Sequence, residues 1–137
     1  MRLRDCDRVG SSHVVQVDAK ALQPLWISDY HDGPISGAVI FESRFCWYVC
    51  AEEEQPPYRE GWYRRYWLVV LTPEQEAEER RWHDLFRLHV GTHWDHPAGA
   101  EPGRVRPTEN HHLFYDAYSE RTPLVIDDND VIAWFQF

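Results

Sequence analysis

A single segment of this sequence carries complete start and stop signals for a helix. Thr72 is a natural N-cap, Pro73 occupies the first helical position, and Gln75 completes a capping box with Thr72. Gly91 stands where helices commonly end, because glycine tolerates the left-handed conformation of that position. The sequence therefore predicts one main helix over about 73–90, and the rest of the chain must supply a surface on which it packs.

The side chains of this helix separate into an apolar and a polar half when they are placed at about 100° per residue. The polar half offers two pairs with the i,i+4 spacing that stabilises exposed helices, Glu76–Arg80 and Glu79–His83. We expect both pairs on the solvated side and the apolar half against the core. That apolar half consists of Ala77, Trp82, Leu85, Phe86 and Leu88.

The segments before the helix are rich in β-branched and aromatic residues, a composition that favours strands. Residues 36–42 and 45–51 form the clearest pair, joined at Ser43-Arg44 by a connection of hairpin length without Asn-Gly chemistry. The second half of 62–71 is apolar on both faces, which predicts a central strand. The candidate strands are 13–17, 25–30, 36–42, 45–51 and 62–71.

The segments after the helix are less sharply marked. Residues 91–110 are rich in glycine and proline and are expected to form a long loop. Residues 111–118 fit either a strand or a short helix. Residues 123–126 and 131–137 are interpreted as a hairpin around Asp127–Asp130.

These elements together predict an α+β fold. We expect a curved, mostly antiparallel sheet of five to seven strands with the main helix packed on it. A half-open β-barrel plugged by the helix is the alternative. The length of 137 residues fits one domain over 1–137, with the polar residues 1–12 loosely held.

Charge and composition limit the classes of partner. The formal net charge of −9 disfavours nucleic acid, because Lys and Arg contacts supply most affinity for phosphate. No apolar run approaches the roughly 20 residues that span a bilayer, so no membrane is expected. The N-terminal segment lacks the apolar stretch of a signal peptide, and three cysteines do not form a secreted disulfide framework. These features predict a cytoplasmic protein with reduced thiols.

Two of those cysteines, Cys46 and Cys50, have the spacing of a motif without its geometry. In a strand they share a face about 13 Å apart, whereas a disulfide needs Cα atoms within about 7 Å. One metal ion could not take both either. We interpret them as small core residues.

Histidines concentrate around the end of the helix. Imidazoles with a carboxylate suit a transition metal such as zinc, although the spacing here matches no specific zinc template. Gly91 also argues against His89 and His93 sharing a helical face. A buried neutral His89, or a histidine pair acting as acid and base, are the alternatives, and no cofactor is the default expectation. The candidate ligands are His89, His93, Asp95, His96, His111 and His112.

Aromatic residues alternating with arginine over 58–67 suggest a contact surface, since Tyr, Trp and Arg are enriched in binding hot spots. The alternative places these aromatics in the core, with Arg64 and Arg65 paired to Glu52–Glu54. The candidate surface residues are Tyr30, Asp32, Trp62, Arg64, Tyr66 and Trp94.

The stretch 29–34 gathers two carboxylates, a histidine and a tyrosine around Asp32-Gly33-Pro34. A turn accounts for this composition. Polar residues beside Trp26 at the end of a strand could also line the mouth of a pocket.

The sequence carries no GxGxxG, GxxxxGK[ST], GxSxG or HExxH motif. The leading hypothesis is a non-catalytic protein-interaction domain, such as an inhibitor, adaptor or immunity-type protein, with another protein as its partner. The first alternative is a metal-dependent or histidine-based enzyme using residues 89–112. The second is a small-ligand-binding domain with an aromatic pocket between sheet and helix. A C-terminal edge strand ending at Phe137 could also pair two copies into a homodimer.

Overall fold

A computed structural model describes residues 8–9, 12–30, 33–54, 63–91 and 111–136. Five antiparallel strands form the main sheet in the order β3-β4-β5-β6-β7, and β1 and β2 form a separate two-stranded sheet. The elements are β1 (Arg8–Val9), β2 (Ser12–His13), β3 (Gln23–Tyr30), β4 (Pro34–Phe41), β5 (Arg44–Glu54), β6 (Tyr63–Val69), α1 (Pro73–His89), α2 (His111–Glu120) and β7 (Val131–Phe135).

The predicted fold class is confirmed. The sheet is antiparallel, curved and open, with β3 and β7 at its two edges, so the barrel alternative does not apply. Because consecutive strands β3 to β6 pair as neighbours, the first four strands form a meander. The helix α1 then leads away from β6, and the chain returns through α2 to place β7 beside β6. Neither described helix is long and apolar enough to cross a bilayer.

The main helix begins and ends where the sequence places it. Thr72 accepts a hydrogen bond from the Gln75 backbone N–H, and the Gln75 side chain accepts one from the Thr72 backbone. Gly91 has a φ of 113°, a conformation that glycine adopts readily. The Glu76–Arg80 pair forms at 3.5 Å.

Three assignments on the wheel of α1 are wrong. Leu88 is 67% exposed and Ala77 is also exposed, whereas Glu79, expected to face solvent with His83, is only 2% exposed. The buried stripe consists of Glu79, Trp82 and Phe86, which follow each other at i, i+3 and i+7. The helix is therefore rotated so that one carboxylate points inward.

The predicted C-terminal hairpin is absent from the described residues, because 123–126 form no strand. Leu124 and Ile126 instead pack against the core of the sheet. Asp127 accepts a hydrogen bond from the Asn129 N–H and starts a short 3-10 turn over Asp128–Asp130. Residues 111–118, for which the sequence allowed a strand or a short helix, belong to the helix α2.

The outer edge of β7 is partly covered by the chain itself. The Val17 N–H donates to the Trp134 carbonyl at 2.9 Å, and the Trp134 N–H donates to the Val15 carbonyl at 3.1 Å. This parallel bridge follows β2, so residues 14–17 are only partly the strand predicted over 13–17. The edge proposed for a homodimer is thus occupied at Trp134, which weakens that hypothesis, and Phe137 lies outside the described residues.

The two faces of the sheet carry different aromatic groups, since residues directly opposite in neighbouring strands share a face. Tyr48, Tyr66 and Phe135 pack together on one face with ring centroids 5.3–5.9 Å apart. Cys46 lies fully buried on that face, and burial raises the pKa of its thiol; Cys50 is half-buried beside the same core. The other face, called the helix face here, carries Trp26, Ala38, Trp47, Val49, Trp67 and Trp134.

The helices pack on the helix face. The His83 ring of α1 stacks on Trp26 with centroids 4.3 Å apart, and the Arg80 guanidinium lies 4.5 Å from the centroid of Phe45. A second apolar cluster joins α1 to α2 and consists of Trp82, Phe86, Val90 and Phe114, with Leu85 and Tyr118 packed against it.

The turn between β4 and β5 contains Glu42 and Ser43, one residue earlier than predicted, and both have positive φ angles of 51° and 63°. A two-residue hairpin turn of this kind favours Asn-Gly, because other residues pay a steric cost in the left-handed region. We expect the double substitution Glu42→Asn, Ser43→Gly to stabilise the protein by about 1 kcal/mol. Urea denaturation should show a higher midpoint with an unchanged m-value. The double alanine variant at the same positions should show no such gain, and an equal gain from alanine would contradict the turn argument.

Candidate functional site

A cleft lies between the helix face of the sheet and the end of α2, with a volume of about 320 Å³. We call it the sheet–helix cleft. Its apolar walls come from β4, β5 and the segment after α2, and its polar groups come from β3, β4, α2 and the residue that follows α2. The apolar residues are Ile35, Trp47, Val49, Pro123, Leu124 and Ile126; the polar residues are Asp29, Ser36, Tyr118, Ser119 and Arg121.

The Asp29 carboxylate is the centre of the polar groups. Its Oδ1 accepts a hydrogen bond from the Tyr118 hydroxyl and its Oδ2 accepts one from the Ser36 hydroxyl, both at 3.0 Å. Asp29 lies opposite Ser36 in the register of β3 and β4, at a point where β3 is bulged. The bulge turns the carboxylate onto the helix face, where it contacts Tyr118 of α2.

A buried ion pair between Arg121, just after α2, and Glu79 of α1 lies beside the cleft. The Arg121 guanidinium donates from Nη1 to Glu79 Oε2 at 3.1 Å, and its Nη2 lies 3.0 Å from Glu79 Oε1. The side chains are 14% and 2% exposed respectively. The guanidinium also lies 4.6 Å from the centroid of the Tyr118 ring and 5.8 Å from that of Trp82. This pair ties the end of α2 to the inward side of α1.

The electrostatics of these groups follow from burial. Burial raises the pKa of Glu79, and the hydrogen bonds and charge of Arg121 oppose this only in part. Burial alone would lower the pKa of Arg121, but Glu79, Tyr118 and Asp29 raise it overall, so the guanidinium stays charged. Burial and the Asp29 charge raise the pKa of Tyr118, which therefore remains a neutral phenol that donates to Asp29.

The cleft thus holds one carboxylate whose charge is not matched by a cation. Among the residues described, Asp29 forms no ion pair, and its two hydrogen-bond donors are neutral hydroxyl groups. Arg121, the cation beside it, is engaged by Glu79 in a two-point contact. Each carboxylate oxygen can accept about two hydrogen bonds, so Asp29 retains acceptor capacity toward the cleft.

The predicted metal ligands are not brought together within the described residues, where no group of three or more His, Cys, Asp or Glu could hold a metal ion. His89 is half-buried in the last turn of α1, and His111 and His112 are exposed in the first turn of α2. His93, Asp95 and His96 lie outside the described residues. The metal site therefore stays a prediction.

Only some residues of the predicted contact surface are described by the structure. Arg64 and Tyr66 are only 9% and 2% exposed, and both donate hydrogen bonds to the Pro34 carbonyl, which leaves little of either for a partner to contact. Tyr30 is half-buried at the end of β3. Asp32, Trp62 and Trp94 lie outside the described residues.

The core alternative for these arginines fits part of the sheet. Glu52 and Glu53 lie opposite Arg65 and Arg64 in the register of β5 and β6. The Arg65 guanidinium lies 4.7 Å from the centroid of the Trp134 ring. Within β6, Arg64 shares one face of the sheet with Tyr66, and Arg65 shares the other with Trp67.

Sequence reasoning pointed to the neighbourhood of Asp29 as a pocket mouth but missed its partners. Ser36, Tyr118 and Arg121 carry no local pattern that links them to residue 29 or 79, and they meet only through the packing of α2. The one available signal was the spacing of Glu79, which precedes Trp82 and Phe86 at i+3 and i+7 and so shares their side of α1. Comparisons of the chain with family models, with curated proteins and with solved structures gave no match.

Proposed function

We propose that this protein binds a small organic molecule in the sheet–helix cleft. The observation that carries this proposal is the combination of an apolar hollow with a few convergent polar groups. Its volume of about 320 Å³ falls at the lower end of the range of known ligand sites, roughly 300–1,000 Å³. Such sites typically pair apolar walls with a small number of fixed hydrogen-bonding groups, as Asp29, Ser36 and Tyr118 do here.

The polar groups are held in place before any ligand arrives. Ser36 and Tyr118 donate hydrogen bonds to the two oxygens of Asp29, and the Arg121 guanidinium packs on the Tyr118 ring. Fixed groups lose little conformational entropy on binding, which favours affinity. A second hollow, lined by residues 16–19 and Gln136, lacks this arrangement, since its carboxylate at Asp18 caps an exposed 3-10 turn.

The protein-interaction hypothesis and the enzyme hypothesis both stay predictions. No described surface identifies a protein partner by its chemistry, and the histidine-rich segment of the enzyme hypothesis falls largely on 92–110, outside the described residues. The ligand-binding hypothesis is the one for which the described residues supply a defined site.

Ligand-observed NMR with a fragment library tests the proposal. Fragments that bind the wild-type chain should lose at least tenfold in affinity for the variant Ser119→Trp, because Ser119 lines the cleft and an indole there would occupy it. The matched control is Ala117→Trp, an exposed position on the same helix that does not line the cleft. Equal binding to both tryptophan variants, or no fragment binding to the wild type, would overturn the proposal.

A further inference from the structure

We infer that the ligand of the sheet–helix cleft is a small organic cation, an amine with an apolar body. This inference rests on the proposed function and names the chemistry of the molecule bound there. Its starting point is the charge balance of the cleft. Asp29 and Arg121 are the charged residues that line it. Arg121 is already paired with Glu79, which does not line the cleft, so these three groups together leave the Asp29 carboxylate in excess.

The polar groups around Asp29 also favour a ligand that donates hydrogen bonds. Ser36 and Tyr118 direct their hydroxyl hydrogens to Asp29, so what they and Asp29 present toward the cleft is acceptor capacity. An ammonium group carries up to three donors and no acceptor, and therefore complements such a site. Its charge would also replace the missing partner of a half-buried carboxylate.

An anionic ligand meets the opposite conditions. Arg121 is the cation that lines the cleft, and both of its terminal nitrogens contact Glu79. An anion that drew this guanidinium away from Glu79 would leave that carboxylate, which is 2% exposed, as an unpaired buried charge. Breaking a buried pair in this way is strongly unfavourable. The anion would also face Asp29 across the cleft.

The walls specify the rest of the molecule. Val49, Leu124 and Ile126 are half-buried side chains that a ligand would cover, and the buried Trp47 also lines the cleft. A compact amine with one aromatic ring or a short alkyl chain fits both the volume and the apolar surface.

Isothermal titration calorimetry of the full chain with three matched probes tests the inference. Phenethylamine, phenethyl alcohol and phenylacetate share an aromatic body and differ in their polar end, which is cationic, neutral or anionic. We expect phenethylamine to bind at least tenfold more tightly than the alcohol, and phenylacetate to bind more weakly than both. Wild-type protein alone decides this arm, so it does not depend on the folding of a variant.

The variant Asp29→Asn provides the second arm. It keeps one side-chain oxygen as an acceptor for one of the two hydroxyl groups, and its NH2 group can donate to the other hydroxyl oxygen. Because the charge is removed, affinity for phenethylamine should fall at least tenfold while that for the alcohol changes little. Asp116→Asn removes the same charge from an exposed position of α2 and should leave all three affinities almost unchanged. Thermal unfolding confirms that each variant is folded.

The outcomes separate this inference from the proposed function. Tighter binding of the alcohol or of phenylacetate, with loss of that binding in Ser119→Trp, would overturn the amine and keep the cleft as a binding site. Equal amine affinity in wild type and Asp29→Asn would also overturn the amine. If no probe and no library fragment binds in a manner that Ser119→Trp blocks, both proposals fail.

Discussion

Replacement of Arg121 by methionine is expected to destabilise the folded protein by about 3–5 kcal/mol, because it leaves the buried Glu79 carboxylate without its cation. Methionine keeps much of the apolar stem, so the loss reports on the charge and its hydrogen bonds. Urea denaturation followed by tryptophan fluorescence measures the change at neutral pH.

The penalty of Arg121→Met should depend on pH with a definite sign. Burial raises the pKa of Glu79 above its ordinary value of 4.5, and Arg121 opposes that rise, so removing Arg121 raises the pKa further. A carboxyl whose pKa is raised on folding adds stability below its unfolded pKa and loses it as the pH rises through the folded pKa. The difference in unfolding free energy between wild type and variant should therefore shrink as the pH falls from neutral toward about 4.5.

Two further variants make this result specific. Arg81→Met breaks an exposed pair with Glu78, in which both side chains are about half exposed, and should change stability little at any pH. The double variant Glu79→Leu, Arg121→Met removes both buried charges and should recover most of the lost stability without pH dependence. A penalty for Arg121→Met that equals that of Arg81→Met, or that grows in mild acid, would contradict a buried ionised pair.

Local sequence signals located the main helix, because caps act within one turn and do not depend on the rest of the chain. Thr72, Gln75 and Gly91 hold the positions that their chemistry favours. The strands β4, β5 and β6 could also be predicted locally, because runs of β-branched and aromatic residues favour strands wherever they occur. The C-terminal hairpin failed because a run such as 123–126 can meet its apolar requirement by packing on a sheet without joining it.

The site depends on contacts between residues far apart in sequence, which local patterns do not encode. Glu79 and Arg121 are 42 positions apart, and Tyr118 and Asp29 are 89 positions apart. Helical periodicity assigned Glu79 to the solvated face because a carboxylate there is usually exposed. The packing of α2 on α1 brings Arg121 to Glu79, and this cation offsets the cost of burying the carboxylate. The same packing places Tyr118 and Arg121 in the wall of the cleft.

The docking of α2 on α1 depends chiefly on Trp82. Its indole contacts the rings of Phe114 and Tyr118 edge to face, with centroids 6.1 and 5.5 Å apart, and its N–H donates to Glu78 Oε1 at 2.9 Å. We expect Trp82→Ala to cost about 3–5 kcal/mol, the usual loss for a buried tryptophan. It should also weaken ligand binding although Trp82 does not itself line the cleft, because α2 carries Tyr118 and leads into Arg121.

Hydrogen exchange measured by mass spectrometry distinguishes this local effect from general destabilisation. In Trp82→Ala the amides of α2 should exchange faster than those of β4 and β5, because the cluster that holds α2 has lost its largest member while the sheet core is intact. Tyr115→Ala is the matched control, since this aromatic lies on α2 but is 46% exposed, and its loss should leave the exchange of α2 nearly unchanged. Uniform acceleration across sheet and helices in Trp82→Ala would show that α2 is not held separately, and that the cleft opens only when the whole fold does.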